Sequence, residues 1–144
     1  SNEIVNIGAH CSPSKALSDD IEEFVSDPKS KGTIYIAFGT NVKWAYAPSY
    51  VIQAFKEAML KLKEYRIIFV DDVKEMFVDL APHIKIMKWA PQYDILRDNR
   101  TVLFIGHGGL KSLKETICGK TPTLLIPIFN EQAHNTAVAA KLGK

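Results

Sequence analysis

The chain has 144 residues, of which 47% are hydrophobic and 24% are charged, and its formal net charge is +2. This length suits one globular domain with a substantial core, and no stretch approaches the ~18 consecutive apolar residues that cross a membrane. Because the charges nearly cancel and no run of five basic residues occurs, the composition gives no reason to expect a nucleic-acid partner.

The predicted elements alternate between helix and strand along the chain. Ser18 is a suitable N-cap with acids in the turn that follows, and Pro48 suits the first position of a second helix. Strands are predicted where β-branched and aromatic residues form short runs. In chain order we expect a helix at 18–27, a strand at 33–38, a loop at 41–47, a helix at 48–62, a strand at 67–70, a helix at 73–80, a strand at 84–87, a helix at 92–96, a strand at 102–105, a helix at 110–119, a strand at 123–126 and a helix at 131–143.

This alternation predicts an α/β fold with a parallel sheet and helices on both faces. In the helix at 110–119, Leu110, Leu113 and Ile117 form an apolar stripe that we expect to pack on the domain, and Gly119 is expected to cap the helix. The chain stops directly after the last predicted helix, where a complete doubly wound sheet would continue. We therefore expect a fragment of a longer protein.

The two cysteines, Cys11 and Cys118, are far apart in sequence and form no Cys-x-x-Cys pair. Cysteines that bind metals usually occur in closely spaced pairs. We therefore expect two separate thiols that form neither a disulfide nor a metal site.

A glycine turn that carries a histidine, Gly106-His107-Gly108-Gly109, follows the fourth predicted strand. Glycines let a backbone approach a ligand, and the free N–H groups at the start of the next helix favour a phosphate. His107 would then donate a hydrogen bond to a phosphate oxygen. The alternative is a tight turn with a structural histidine, and this motif alone does not decide between the two.

Further candidates for ligand binding follow the third and fifth predicted strands. Trp89 either packs in the core or offers its ring for stacking on a base. Glu115 lies eight residues after His107, near the same helix face, where a carboxylate accepts both hydroxyls of a ribose unless it is simply a surface acid. Glu131 and Gln132 offer acceptors and donors to sugar hydroxyls, although an acid at a helix start also suits the helix dipole by itself.

Together these motifs resemble the conserved segments of UDP-glycosyltransferases, the family that includes the animal UDP-glucuronosyltransferases. The resemblance covers nearly the whole chain. The segments that carry it are Trp89-Ala90-Pro91-Gln92, His107-Gly108-Gly109, Ser112, Glu115, Pro127-Ile128-Phe129-Asn130-Glu131-Gln132 and Asn135.

The resemblance implies a GT-B enzyme with two facing Rossmann-like domains, of which this chain is the C-terminal, donor-binding half. Residues 1–144 would then be one UDP-sugar binding domain of a larger, two-domain enzyme anchored in the endoplasmic reticulum membrane on its lumenal side. The catalytic histidine and its aspartate partner belong to the missing N-terminal domain. No catalytic residue is therefore expected in this chain, and the chain alone is expected to be inactive.

The resemblance also implies roles for individual residues. The uracil would be stacked by Trp89 and read by the backbone at Ala90, and the ribose would be held by Gln92 and Glu115. The diphosphate would be held by Thr40, His107, Gly108, Gly109 and Ser112, and the sugar by Glu131 and Gln132. Lys111 stands where the family usually has asparagine, and it either neutralises phosphate charge or obstructs the pocket. No Asp-x-Asp sequence occurs to hold a divalent ion, so no metal is expected.

The implied reaction is inverting transfer of a hexose or hexuronic acid from UDP-glucose or UDP-glucuronic acid to a small lipophilic acceptor bound by the N-terminal domain. The UDP-sugar is a co-substrate, no other cofactor is expected, and only segments outside this chain would contact the membrane. Two alternatives remain: a separate donor-binding subunit of a split glycosyltransferase, and a degenerate, non-catalytic nucleotide-binding module. The second is motivated by Lys111 and by Asp71, an acid close to where vertebrate members carry an arginine.

Overall fold

The computed structural model describes residues 10–40, 42–71, 81–128, 130–141 and 143. The strands are β1 (Thr33–Ala37), β2 (Arg66–Val70), β3 (Ile84–Met87), β4 (Thr101–Gly106) and β5 (Thr123–Leu125), and the helices are α1 (Asp19–Val25), α2 (Ser49–Lys61), α3 (Gln92–Arg97), α4 (Leu110–Gly119) and α5 (Asn130–Lys141). These elements confirm the predicted ones, whereas the helix predicted at 73–80 lies outside the described residues. Within the described ranges, no helix is both long and apolar enough to cross a membrane.

The five strands form one sheet in the order β3-β2-β1-β4-β5, and every neighbouring pair is parallel. The predicted α/β class is therefore confirmed. The chain proceeds outward from β1 to β3 on one side and from β4 to β5 on the other. Because the strand order reverses between β1 and β4, a crevice opens at their carboxyl ends, which is where open α/β sheets bind ligands.

The sheet is apolar on both faces because successive strand residues point to opposite sides and each side is covered by helices. One face of the sheet presents Ile34, Ile36, Ile67 and Phe69, which share a core cluster with Met59 of α2. The opposite face presents Tyr35, Ile68 and Phe104, which cluster with buried residues of α1 and α3: Ile21, Val25, Ile95 and Leu96. Helices thus lie on both faces, as the alternation of elements predicted.

The loop predicted at 41–47 contains a short 3₁₀ turn, Trp44–Tyr46, that belongs to the core. Trp44 is buried, and its ring centroid lies 4.8 Å from that of Phe55 and 5.3 Å from that of Phe69. No hydrophobic periodicity marks such a residue in a loop, so this contact could not be predicted from the sequence. The turn closes one side of the domain next to the carboxyl end of β1.

The stripe expected on α4 is not its packing face. Leu110 and Ile117 are 59% and 42% exposed, whereas Thr116 is buried. The helix approaches α3 closely instead, because a Cβ on Gly119 would lie 2.1 Å from the carbonyl oxygen of Leu96. The predicted cap is also wrong: Gly119 is the last helical residue, and Lys120 takes the left-handed conformation, with φ at 56°.

Cys11 and Cys118 form a disulfide, so the expectation of two separate thiols is wrong. They are 107 residues apart in sequence, and spacing of this kind carries no information about distance in the folded chain. The segment before α1 runs back to the end of α4 and brings the two sulfur atoms together. The bond ties the start of the described chain to the helix that follows the glycine turn.

We predict that Gly119→Ala destabilises the domain by about 1–3 kcal/mol, because the new methyl group would push α4 away from the Leu96 carbonyl. Lys120→Gly is the matched neighbouring change and should stabilise the domain by about 1 kcal/mol, since glycine adopts the left-handed conformation without strain. Urea unfolding followed by circular dichroism measures both effects. An unchanged unfolding midpoint for Gly119→Ala would contradict the close approach of the two helices.

Candidate functional site

A cavity of about 700 Å³ opens at the carboxyl edge of the sheet, within the usual size range of small-molecule sites. Its walls are the segments that follow β1, β3 and β4 together with α3 and α4. Nine of the twelve residues predicted to bind the ligand line it: Thr40, Trp89, Ala90, Gln92, His107, Gly109, Lys111, Ser112 and Glu115. The fold therefore brings together residues that are spread over most of the chain.

Three of the lining side chains are joined by hydrogen bonds across the α3–α4 junction. The Gln92 amide nitrogen donates to Ser112 Oγ at 2.9 Å and to Glu115 Oε2 at 2.5 Å. A carboxylate has about four acceptor positions, so Glu115 retains acceptors for hydroxyl groups of a ligand. We call these three residues the junction triad. It holds an acid in a fixed position at one end of the cavity.

His107 lies at the other end, where its ring fits between two glycines. A Cβ on Gly39 would lie 2.7 Å from the ring, and a Cβ on Gly109 would lie 2.6 Å from it. Gly109 was expected to serve the ligand, whereas the structure shows that it and Gly39 first make room for the imidazole. Any larger residue at either position would displace His107.

Burial lowers the pKa of His107, although the nearby Ala37 carbonyl oxygen and the Glu131 carboxylate oppose this change. The ring is therefore mainly neutral at neutral pH. Its Nδ1 is buried, and no atom of the described residues meets hydrogen-bond geometry with it. A neutral imidazole has one N–H, so His107 can donate at most one hydrogen bond.

The N-terminus of α4 faces the same cavity and is arranged to receive an anion. Its N-cap is Gly109, no side chain caps the helix, and its first turn contains no acid. Lys111, exposed in this first turn, adds a positive charge beside the free backbone N–H groups. An uncapped start and a lysine in the first turn are both unfavourable for an isolated helix. A bound negative charge would offset both. In the part of the chain that the structure describes, no three His, Cys, Asp or Glu side chains are grouped as metal ligands.

Trp89 follows β3 and is 74% exposed, so the alternative that places it in the core is wrong. Its side chain lines the cavity beside the backbone of Ala90, which is buried in the core. An indole that is open to solvent at the mouth of a cavity is available for stacking. That it stacks on a base stays a prediction.

The remaining three predicted residues lie just outside the cavity lining. Gly108, with φ at +83°, allows α5 to approach: a Cβ there would lie 2.7 Å from the hydroxyl oxygen of Thr136. Gln132 is buried, and its Oε1 accepts a hydrogen bond from the Ile128 N–H at 2.9 Å. Glu131 is exposed, and its carboxylate lies near enough to raise the pKa of His107. Contacts of these residues with a sugar stay predictions.

Several cavity residues were missed by the sequence reasoning. Lys43, Lys88 and Asp94 line the cavity. Lys88 directly follows β3, so its position at a strand end was an available signal. Asp71, which the sequence analysis did single out, also lines the cavity and is 8% exposed. Tyr35 also lines the cavity. Burial and, to a lesser degree, the charge of Glu115 raise the pKa of its phenol, so the hydroxyl stays protonated.

These features define a Rossmann-like α/β domain with a ligand cavity at the point where the strand order reverses. The family model for "UDP-glucoronosyl and UDP-glucosyl transferase" matches residues 2–144. The chain therefore belongs to the UDP-glycosyltransferase family, as its motifs suggested.

Named relatives are similar over nearly the whole chain. UDP-glycosyltransferase UGT4 of Dactylopius coccus is 37% identical over 98% of this chain and 27% of its own length. UDP-glucuronosyltransferase 2B15 of Rattus norvegicus is 33% identical over 90% of this chain and 24% of its own length. The chain thus spans about a quarter of the length of the curated relatives it matches.

Solved structures show the same fold at lower identity. A UDP-glucose: anthocyanidin 3-O-glucosyltransferase in complex with UDP has a TM-score of 0.70 and 20% identity, over 86% of this chain and 28% of its own. A transferase from Siraitia grosvenorii in complex with UDP has a TM-score of 0.69 and 19% identity, over 85% of this chain and 32% of its own. The structural neighbours are GT-B glycosyltransferases, and this chain has the Rossmann-like fold of their C-terminal half.

We predict that His107 titrates below its ordinary pKa of 6.5, because burial disfavours the charged ring. The folded-state pKa is then lower than the unfolded one, so this group's contribution to stability is complete above the unfolded pKa. It is lost as the pH falls through the folded pKa. An NMR titration of the imidazole Cε1–H signals, with His107→Gln for assignment, measures the midpoint. A midpoint at or above 6.5 would show that burial does not control this ring.

Proposed function

We propose that this chain binds a UDP-sugar for inverting transfer of a hexose or hexuronic acid to a small lipophilic acceptor. The observation that carries the proposal is the placement of the junction triad, His107 and the uncapped start of α4 around one cavity. An acceptor carboxylate at one end and anion-stabilising donors at the other suit a ribose and a diphosphate. Membership of the family and the UDP named with two structural neighbours support the same ligand.

In the proposed complex, uracil stacks on Trp89 and the backbone at Ala90 reads its edge. Glu115 accepts hydrogen bonds from both ribose hydroxyls, while Gln92 keeps the carboxylate in place. The diphosphate lies at the start of α4 and is contacted by Thr40, His107, Gly108, Gly109, Lys111 and Ser112. Glu131 and Gln132 face the sugar, which we propose to be glucose or glucuronic acid.

The proposed chemistry places the base outside residues 1–144, in an acceptor-binding domain. The base removes a proton from the acceptor hydroxyl, whose oxygen attacks the anomeric carbon, and the bond from that carbon to the diphosphate oxygen breaks. Negative charge grows on the departing UDP, and this chain stabilises it through the free N–H groups of α4, the His107 N–H and Lys111. Residues 1–144 alone would bind the donor without transferring sugar. Detectable transfer by them would contradict the placement of the base in another domain.

We further propose that the protein acts on the lumenal side of the endoplasmic reticulum membrane, anchored by segments outside residues 1–144. The Cys11–Cys118 disulfide supports an oxidising compartment, since such bonds are rare in proteins exposed to the cytosolic glutathione pool. The protein is isolated from its natural source with thiols alkylated at lysis, and mass spectrometry then shows whether the Cys11–Cys118 bond is present. Alkylation of both Cys11 and Cys118 would contradict a lumenal location.

We predict that UDP binds saturably in calorimetric titration, and that His107→Ala and Glu115→Ala each weaken binding about 10- to 100-fold, as expected for charged hydrogen bonds. Lys111→Ala should weaken binding more at low than at high salt, because its attraction is screened. Lys114→Ala is the matched control, since Lys114 is an exposed lysine of the same helix outside the cavity lining. Equal effects of the two lysine variants would contradict the proposed position of the diphosphate.

We predict that UDP protects Trp89 from quenching by acrylamide, because the base would cover its exposed ring. The chain has two tryptophans, so in the Trp44→Phe variant the indole fluorescence comes from Trp89 alone. Trp89→Ala should weaken UDP binding about 5- to 150-fold, the equivalent of roughly 1–3 kcal/mol for stacking on one base. Trp44→Phe should bind UDP like the parent chain. Unchanged quenching of Trp89 at saturating UDP would rule out stacking.

A degenerate, non-catalytic domain is the second candidate function, and the observation that favours it is Asp71, an acid buried in the cavity wall. Under this hypothesis a correctly folded chain fails to bind UDP, UDP-glucose and UDP-glucuronic acid. Asp71→Arg combined with Lys111→Asn then restores binding. Binding by the unmodified chain rejects this hypothesis, and the order of the two sugars in affinity identifies the donor.

A further inference from the structure

The segment of residues 10–17, which we call the N-terminal strap, lies across the outside of α3 and α4. The Cys11–Cys118 disulfide fixes one point of the strap to the end of α4. Two hydrogen bonds fix it to α3: Asp94 Oδ1 accepts from the Lys15 N–H at 2.7 Å, and the Tyr93 hydroxyl donates to the Ser12 carbonyl oxygen. The strap therefore connects the two helices, and its partners Tyr93 and Asp94 also line the cavity.

The same two helices carry the junction triad on their cavity side. Gln92 is the first residue of α3, and its hydrogen-bond partners belong to the first half of α4. With six residues, α3 is too short to be stable by itself, so its position depends on the groups that hold it. At its start, α3 is held by the triad and the strap. Ile95 and Leu96 anchor it in the core, and its end is held by contacts with α4.

The disulfide is placed where these contacts at the end of α3 converge. The Arg97 guanidinium donates to the carbonyl oxygen of Cys118 at 3.2 Å. The next residue, Gly119, packs against the Leu96 carbonyl, to which the Thr121 hydroxyl also donates at 2.6 Å. A displacement of Cys118 would thus be transmitted to the end of α3 and from there to Gln92.

We propose that the Cys11–Cys118 disulfide is a positioning cross-link of the donor site, holding α3 on α4 so that Gln92 keeps the Glu115 carboxylate in place. This inference rests on the proposed function, because it assigns the ribose to Glu115. The cross-link acts on the ribose end of the cavity. At the diphosphate end, the sheet and the glycines around His107 hold the imidazole, whereas Ser112 at the start of α4 also accepts a hydrogen bond from Gln92.

The test compares the oxidised chain, the chain treated with dithiothreitol and the Cys11→Ser/Cys118→Ser variant. Dithiothreitol reduces the bond to two thiols and is itself oxidised to its cyclic disulfide. Affinities for UDP and for inorganic pyrophosphate are measured by calorimetry well below the unfolding temperature, with the fold checked by circular dichroism. Pyrophosphate reports on the diphosphate end alone, so it is the matched control ligand.

We expect reduction to weaken UDP binding about 3- to 10-fold, the range for one hydrogen bond. Pyrophosphate binding should weaken less, because Ser112 is a proposed diphosphate contact that Gln92 also reaches. The serine variant should behave like the reduced chain and should not respond to dithiothreitol. In a Gln92→Ala background, reduction should have no further effect on UDP, because the cross-link acts through that amide.

The outcomes separate this inference from the proposed function. UDP binding that is unaffected by reduction, with only the unfolding temperature lowered, would make the bond a purely structural one and overturn the inference alone. Additive effects of Gln92→Ala and reduction would do the same. Failure of the oxidised, folded chain to bind UDP would overturn the proposed function and this inference with it.

Discussion

The parallel pairing of β1 with β4 at the centre of the sheet determines where the candidate ligand-binding groups lie. Ala37 pairs with Gly106, so the two strands end side by side, and the segments that follow them enter one crevice. The imidazole of His107 fills the space between Gly39 and Gly109, in which a Cβ on either residue would overlap with the ring. The glycine requirement at this edge is therefore a packing requirement of the protein as well as an opening for a ligand.

Among the described residues, the cavity lining has no excess of positive side chains. It includes Lys43, Lys88 and Lys111, and equally Asp71, Asp94 and Glu115. A diphosphate bound as proposed would be stabilised mainly by the orientation of donor groups: free backbone N–H groups at the start of α4, one imidazole N–H and a lysine in the first helical turn. The acids of the lining would accept hydrogen bonds from hydroxyl groups of the proposed ligand.

The two ends of the cavity are held by different means. The end proposed for the diphosphate lies beside the central strands, which are buried on both faces. The end proposed for the ribose includes the short helix α3, which is held by the burial of Ile95 and Leu96, by side-chain hydrogen bonds and by the strap. The disulfide adds a covalent constraint to the helix pair at this second end.

The sequence by itself determined the order of strands and helices, because hydrophobic runs and glycine turns are local signals. The twelve candidate site residues were predicted with the help of the resemblance between these motifs and a known family, and nine of the twelve line one cavity. Three features were decided only by the tertiary structure: the burial of Trp44, the exposure of Leu110 and Ile117, and the Cys11–Cys118 bond. Each depends on which distant segment lies opposite, and no local pattern in the sequence encodes that partner.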